Sequence, residues 1–396
     1  MADIYSGALL TIMAASASDG TTGIFGKRTL KHDMVRVPYT DEVGKTTLSV
    51  YITSGLPQYY MDITNGPLFT RAWVFQERLL SKRKLIFGHK QSYWDCNGSI
   101  LSESRSEGEE TNSTFDKSIS TLKLFANPHI RIVDDGDLSD QIHTMWPKLW
   151  YTVVKTYSEC SLTYETDRLP SLSGLARVFA QISGHTYAAG LWLEQMPDAL
   201  LWKYYTPRFM AEGEEYCAPS WSWASAGGRC EFLGERVYYK PLQNASERKR
   251  CVPELEVLSS NMILASTDTY GKVASGSSLI VKGRLRMARL DKTANEREYE
   301  WICEAIIRDE AGNYLGEGEL DQETYYSSQA VVCLEVTSPS HFKSDSQDRD
   351  PIAHFLVLQA TGNELEYRRI GFVWTHHLSA EEYPFVGVDK TVLSLV

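Results

Sequence analysis

Residues 8–15, Ala8-Leu-Leu-Thr-Ile-Met-Ala-Ala15, form a continuous apolar run that stops at Ser16-Ala-Ser-Asp-Gly20. A run of this length, bounded by turn residues, reads as a strand buried on both faces, the kind used by parallel sheets. It is far too short to span a bilayer. Residues 3–7 read as the last turn of a helix, with Gly7 as its cap. Residues 21–66 are loop-rich, with alternating strands near Met34–Pro38 and Thr47–Ile52. Residues 69–82 then read as a helix, and Lys84–Phe87 and Ser92–Cys96 as two short strands. Strand, excursion, helix, strand, strand is half of an α/β unit. Because a parallel sheet does not begin with an orphan strand, elements that normally precede it are expected to be missing.

The pattern changes twice further along. Ser102–Ser113 is polar and Glu-rich, as in a flexible linker. Helical periodicity follows over Thr114–Phe125, Asp140–Glu159, Leu172–Ser183 and Glu194–Trp202, with Leu169-Pro170-Ser171 as an N-cap-like start to the third helix. From Ala218 on, strand patterns prevail: Cys230–Phe232, Val237–Tyr239, Glu254–Ser259, Leu279–Leu290, Glu300–Ile307, Ala330–Val336, Phe355–Ala360 and Arg368–Val373. Turns at Asp309–Gly312 and Thr361–Asn363 punctuate them. The expected division is residues 1–112 as a partial α/β core, 113–210 as a helical region and 211–396 as a mostly antiparallel β domain.

Bulk properties narrow the function. A net charge of −11, and a longest basic cluster of only Glu247-Arg-Lys-Arg250, argue against nucleic-acid binding. Seven cysteines without a Cys-x-x-Cys pair argue against a zinc site and a secreted disulfide framework, so the thiols are expected reduced, as in a cytoplasmic protein. No metal is expected. The N-terminus lacks a basic region and a secretory apolar core.

Candidate site residues come from the 69–82 helix. Trp73, Gln76, Glu77 and Leu80 fall at i, i+3, i+4 and i+7 and share one face. A carboxylate on that stripe is costly unless paired, and desolvation beside an indole raises its pKa, one way to prepare a general acid or base. The plainer reading is that Glu77 caps or pairs with a buried arginine such as Arg71. Ser16, Ser18 and Asp19 follow the first strand, where α/β ligand sites usually form, although a polar turn explains them as well. Trp221 and Trp223 alternate with Ser220 and Ser222, so a strand there would put both indoles on one face. Core packing is the ordinary reading of that pair and a ligand-stacking platform the sharper one. Gly20–Lys27 lacks the spacing of a phosphate loop, and Gly316-Glu-Gly318 reads as a turn. His376-His377 on a strand would face opposite ways, so one metal rarely takes both.

Arg71-Ala-Trp-Val-Phe-Gln-Glu-Arg-Leu-Leu-Ser-Lys82 resembles the motif of fungal heterokaryon-incompatibility (HET) domains, Arg-Gly-Trp-Thr-Leu-Gln-Glu followed by Leu-Leu-Ser and a basic residue. The chain departs from it at Ala72, Val74 and Phe75. Ile4, Tyr5, Ala8, Thr11, Ile12 and Ala14 match an upstream pattern of the same family, and Gly23-Ile-Phe25 and Ser92–Cys96 match downstream ones. Asp167–Ala176, Ala189–Trp192 and Ala218–Ala224 resemble recurring segments of the long HET proteins. Two strands that open such domains, of the forms Leu-Ser-Tyr-x-Trp-Gly and Trp-Ile-Asp-x-Leu-Cys-Ile-x-Gln, have no counterpart here.

This resemblance implies a partial TIR-like α/β core and a role in non-self recognition and programmed cell death, as an interaction or effector module working with protein partners of the incompatibility response. Self-association is left open. Relatedness to TIR domains, many of which cleave NAD with a Glu four residues after a Trp, implies Glu77 as the candidate catalytic carboxylate, with Trp73 and Arg71 beside it. NAD would then be a substrate, and no cofactor is implied. A third reading is a small-molecule metabolic enzyme built on the same scaffold near Trp221 and Trp223.

Overall fold

The computed structural model describes residues 1–25, 35–40, 46–52, 59–64, 66–96, 99–104, 148–205, 215–233, 251–291, 304–321, 329–339, 353–375 and 383–396. The chain divides into two compact units, Met1–Arg131 and Ile132–Val396. The 148–205 stretch and the β-rich stretch therefore belong to one unit. The expected elements at 114–125, 140–147 and 237–239, the linker beyond residue 104, Glu247–Arg250 and His376-His377 lie outside the described residues.

The first unit contains α1 (Ala2–Gly7), β1 (Thr11–Met13), the hairpin β2 (Val35–Thr40) and β3 (Thr46–Ile52), α2 (Tyr59–Ile63), α3 (Ala72–Leu80), β4 (Arg83–Phe87), β5 (Ser92–Cys96) and β6 (Ser99–Ser102). β1 pairs parallel with β4, and β4, β5 and β6 continue antiparallel, giving the order β1-β4-β5-β6. This is the mixed α/β arrangement expected. The run 8–15 behaves differently from expectation: only Thr11–Met13 is strand, and Ile12 is 59% exposed while Met13 is buried. β1 is the end strand of its sheet, with β4 as its one neighbour among the described residues, so only its Met13 face is packed. Met13, Ile86 and Tyr93 pack with Ile63 of α2 and Val74 of α3.

Beside this apolar core sits a buried polar one. Lys84 and Asp95 stand directly opposite on β4 and β5, both side chains fully buried, with Nζ and carboxylate 3.6 Å apart. Lys84 also donates to the Ser81 carbonyl at 2.8 Å, just past the end of α3 where backbone acceptors are left over. Asp95 accepts from the Tyr59 hydroxyl at 3.0 Å, and Arg78 reaches that hydroxyl at 3.2 Å while its guanidinium lies over the Phe69 ring. Asp62 ties the β4–β5 turn by accepting from the Lys90 amide and the Tyr93 hydroxyl.

The described part of the second unit begins with α4 (148–157) and α5 (Ser173–Ser183), then the short ladder β7 (Tyr187–Ala188) and β8 (Leu191–Trp192). The expected helix 194–202 is instead two 3₁₀ turns, Leu193–Gln195 and Asp198–Leu200, separated by Pro197, which cannot supply the amide a continuous helix needs. β9 (Trp202–Tyr204) follows and pairs with β10 (Cys230–Phe232). Ser220–Trp223 is not a strand either. Ser222 caps a 3₁₀ turn, Trp223–Ser225, by accepting the Ala224 amide, and both indoles are buried. Residues 167–176, 189–192 and 218–224 meet here. The Gly190 carbonyl accepts from the Trp150 and Trp223 indoles, each at 2.8 Å, and Ser222 Oγ donates to the Ala189 carbonyl at 2.5 Å. Arg168 donates to the carbonyls of Ala224 and Ala226. Gly190 has φ +93°, and a Cβ on it would collide with the Trp223 indole nitrogen, so glycine is required.

The remaining strands are β11 (Cys251–Pro253), β12 (Glu256–Asn261), β13 (Ser278–Asp291), β14 (Glu304–Arg308), β15 (Tyr314–Leu320), β16 (Gln329–Pro339), β17 (Ala353–Ala360), β18 (Glu366–Thr375) and β19 (Lys390–Leu395). β13, β14, β15, β18, β17 and β16 pair antiparallel in that cycle, and β16 returns to β13, so six strands close into a barrel. Side chains fill it, among them Leu290, Ile307, Leu315, Val331, Phe355, Val357 and Val373. Closure gives each of these six strands a partner on both sides, while β11 and β12, among the described residues, pair with β16 and β13 alone. Gly316 and Gly318, expected in a turn, lie inside β15. There β15 crosses β18 so closely that a Cβ on Gly318 would run into the Phe372 carbonyl oxygen.

Candidate functional site

Helix α3 contains no glycine or proline, and seven of its nine residues are buried. Trp73 and Glu77 are the two that are not, and both are partly exposed. At i and i+4 they form one stripe, as the spacing predicts. Gln76 and Leu80, expected on the same face, are packed inside. The stripe that reaches solvent therefore consists of an indole and a carboxylate.

Glu77 sits near the C-terminal end of α3. Its carbonyl accepts from the Ser81 amide at 3.1 Å and from Ser81 Oγ at 2.7 Å. Ser81 Oγ in turn meets Thr11 Oγ1 at 2.9 Å, at the amino end of β1. The Glu77 side chain is hydrogen-bonded to the phenol of Tyr5 on α1. Burial raises the carboxyl pKa above its ordinary value, while the Tyr5 hydrogen bond and the nearby positive charge of Arg71 oppose the rise. Burial and the neighbouring Glu77 push the Tyr5 phenol up to about 12. Arg71, expected to be buried, is exposed, and it acts on Glu77 through its charge. The partner of Glu77 that sequence reasoning missed is thus Tyr5. Its signal was available, since Ile4 and Tyr5 belong to the upstream pattern that accompanies the Arg71–Lys82 motif.

Ser16, Ser18 and Asp19 are not brought to this carboxylate. They follow the carboxyl end of β1, where the Ser16 amide donates to the Phe87 carbonyl at 3.2 Å. Asp19 accepts from the Thr21 amide at 2.8 Å and the Thr21 hydroxyl at 2.6 Å, bonds that hold its carboxyl below the ordinary range. Its acceptor capacity is used within its own turn.

Beside Trp223 lies a small cavity of about 40 Å³, lined by Tyr157, Cys160, Glu165, Arg168 and Gly228. Room for a small organic molecule is several hundred Å³, so this space suits water rather than a substrate. Among the described residues no group of three or more His, Cys, Asp or Glu side chains could hold a metal, six cysteines are free, and no helix is long and apolar enough to cross a membrane.

The geometry defines an α/β unit in which helix α3 presents an indole and a carboxylate, both partly exposed, and a second unit that contains a β-barrel. A family model described as Heterokaryon incompatibility protein (HET) matches residues 1–77, so the N-terminal α/β stretch through Glu77 is HET-like. No curated protein and no solved structure matches the chain.

Proposed function

We propose that this protein acts in fungal heterokaryon incompatibility, the non-self recognition that ends in programmed cell death, with the N-terminal unit as an effector or interaction module. The HET match over residues 1–77 carries this reading, and it lies within the compact unit Met1–Arg131, from α1 to Glu77 of α3. In this reading the protein works in the cytoplasm with protein partners of the incompatibility response and does not bind nucleic acid. Inducible expression in a filamentous fungus tests it. Loss of viability by vital-dye uptake is expected, and Trp73→Ala should weaken it. Normal growth at full expression would sink the proposal.

A second reading, TIR-like NAD glycohydrolysis, is favoured by one observation: Glu77 is a partly exposed carboxylate with raised proton affinity beside an indole. Such a group can stabilise the oxocarbenium-like centre formed as nicotinamide leaves. Purified protein incubated with NAD should then release nicotinamide, and Glu77→Gln should abolish the release. Absence of release from the unaltered protein removes this reading, and release that survives Glu77→Gln removes the residue.

A further inference from the structure

Helix α1 lies against helix α3, although the two are far apart in sequence. The side that α1 turns inward follows a one-turn spacing. Ala2 is buried and Tyr5 half-buried, while Asp3 and Ile4 between them are exposed. This brings the Tyr5 phenol to the Glu77 carboxylate, which accepts its hydrogen bond. A second tie joins the same two stretches of chain. Thr11 Oγ1 meets Ser81 Oγ at 2.9 Å, and Ser81 holds the Glu77 carbonyl through both its amide and its hydroxyl. Glu77 is therefore fixed twice, in its main chain by Ser81 and in its side chain by Tyr5.

A glutamate side chain has several rotamers to lose when it is ordered. A hydrogen bond made before a ligand arrives removes that cost from the binding step. Tyr5 suits the task, because burial and the neighbouring Glu77 push its phenol up to about 12, so it keeps the proton it donates throughout the neutral range. The other charged groups nearby do not replace it. Arg71 is exposed and acts through its charge, and Asp3 lies on the exposed side of α1. Arg78, next along α3, is turned inward to Tyr59 and the Phe69 ring.

The geometry points to Tyr5 as a positioning residue, which by donating its hydroxyl hydrogen to the Glu77 carboxylate holds that group on the stripe it shares with Trp73. This rests on the reading of Glu77 as the carboxylate that acts on NAD, and it adds a residue from a separate helix to that site. The sign of its effect follows from the forces on Glu77. Burial raises the carboxyl's proton affinity, and the Tyr5 hydrogen bond, followed by the Arg71 charge, opposes the rise. A carboxylate that stabilises positive charge must be ionised, so activity falls as pH drops through its pKa. Loss of the Tyr5 hydroxyl raises that pKa and moves the acid limb to higher pH.

Tyr5→Phe in the full chain keeps the ring and removes the donor, and two readouts test it. In the first, isotope-labelled glutamate carboxyls are titrated by NMR, the Glu77 signal being the one absent from Glu77→Gln. Tyr5→Phe should move the Glu77 titration to higher pH, and Arg71→Gln should move it the same way by less. In the second, nicotinamide release from NAD is followed against pH. Tyr5→Phe should lower kcat by about tenfold or more with little change in KM, and its acid limb should lie at higher pH. A Glu77 titration that Tyr5→Phe leaves in place overturns the inference, whether or not NAD is cleaved. Release with an unchanged kcat and acid limb overturns it as well. If the unaltered protein releases no nicotinamide, the NAD reading alone falls, and the titration still decides whether Tyr5 governs Glu77. If Tyr5→Phe fails to fold, the unaltered protein decides: one labelled tyrosine ring should follow the Glu77 titration and lose that step in Glu77→Gln. Absence of such a tyrosine overturns the inference.

Discussion

The four-stranded sheet of the first unit and the six-stranded barrel of the second solve the same problem in opposite ways. Both are largely antiparallel, and both place a buried ion pair beside apolar core. The barrel returns on itself through β13 and β16 and packs apolar side chains inside. The sheet, among the described residues, ends at β1 and keeps a carboxylate at the surface of its covering helix. Closure favours a rigid body that presents its outside, while the sheet's covering helix leaves chemistry exposed. The chain's functional candidates accordingly fall in the smaller unit.

The buried pairs differ in how they tolerate loss. Asp95 is the carboxylate facing Lys84, and Asp95→Ala removes it from a site with no solvent access. Removing one partner of a buried pair typically costs about 3–5 kcal/mol. Urea unfolding of the full chain should show the loss in the transition of the N-terminal unit. Next in size, Gly318→Ala should cost about 3 kcal/mol, because the group its new Cβ meets is backbone and cannot swing aside. That loss should appear in the transition of the second unit and leave the first unchanged.

Arg369→Met probes the barrel's own pair. Arg369 donates to the Leu200 carbonyl at 3.0 Å, to the Trp202 carbonyl at 2.6 Å and to Asp321 at 3.2 Å, with its guanidinium 3.3 Å from the centre of the Trp202 ring. Burial already raises the Asp321 carboxyl to about 6, against the pull of Arg369. A raised carboxyl holds its proton more tightly in the folded state, so its contribution to stability falls as pH rises through that window. Without Arg369 the carboxyl rises further and can shed its charge by protonation. Loss of about 2–3 kcal/mol is expected near pH 7 and a smaller loss near pH 5, measured by thermal unfolding at both. A loss independent of pH would remove the distinction drawn between the pairs.

The smallest effect is expected at Glu77. Its proton affinity is also raised by burial, so its contribution to stability falls as pH rises through its folded-state pKa. Glu77→Gln, which keeps an acceptor for Tyr5 and removes the charge, should raise the melting temperature slightly at neutral pH. The difference should shrink as the solution is acidified. A drop at neutral pH would mean that the ionised carboxylate is held by more than Tyr5 and Arg71.

Much of this was legible in local pattern. The Trp73–Glu77 stripe, the β4 and β5 strands, α5 and most barrel strands follow from periodicity of 3.6 or 2. What escaped depends on tertiary context. The run 8–15 has the composition of a fully buried strand, yet its burial depends on a neighbour that no local pattern specifies, and Ile12 stays open. Glycines in β15 resemble a turn because the close crossing that demands them involves β18, more than fifty residues later. Lys84 and Asp95 share the parity of Ile86 and Tyr93 and are buried with them. Their pairing required the hairpin register. Ser222 and the two flanking indoles alternate like a strand, but the serine hydroxyl caps a turn instead.

One strand sets the order in which the second unit can be assembled. β13 pairs with β12, β14, β16 and β19, so its two halves belong to different neighbourhoods. Its partner β16 lies dozens of residues downstream, and β19 ends one residue before Val396. Contacts so far apart in sequence make loop closure an early entropic cost, and proteins dominated by them fold slowly. During synthesis β13 leaves the ribosome long before either partner exists, with Leu279, Val281 and Leu290 unshielded in the meantime. Unpaired apolar strands of this kind are where folding competes with aggregation.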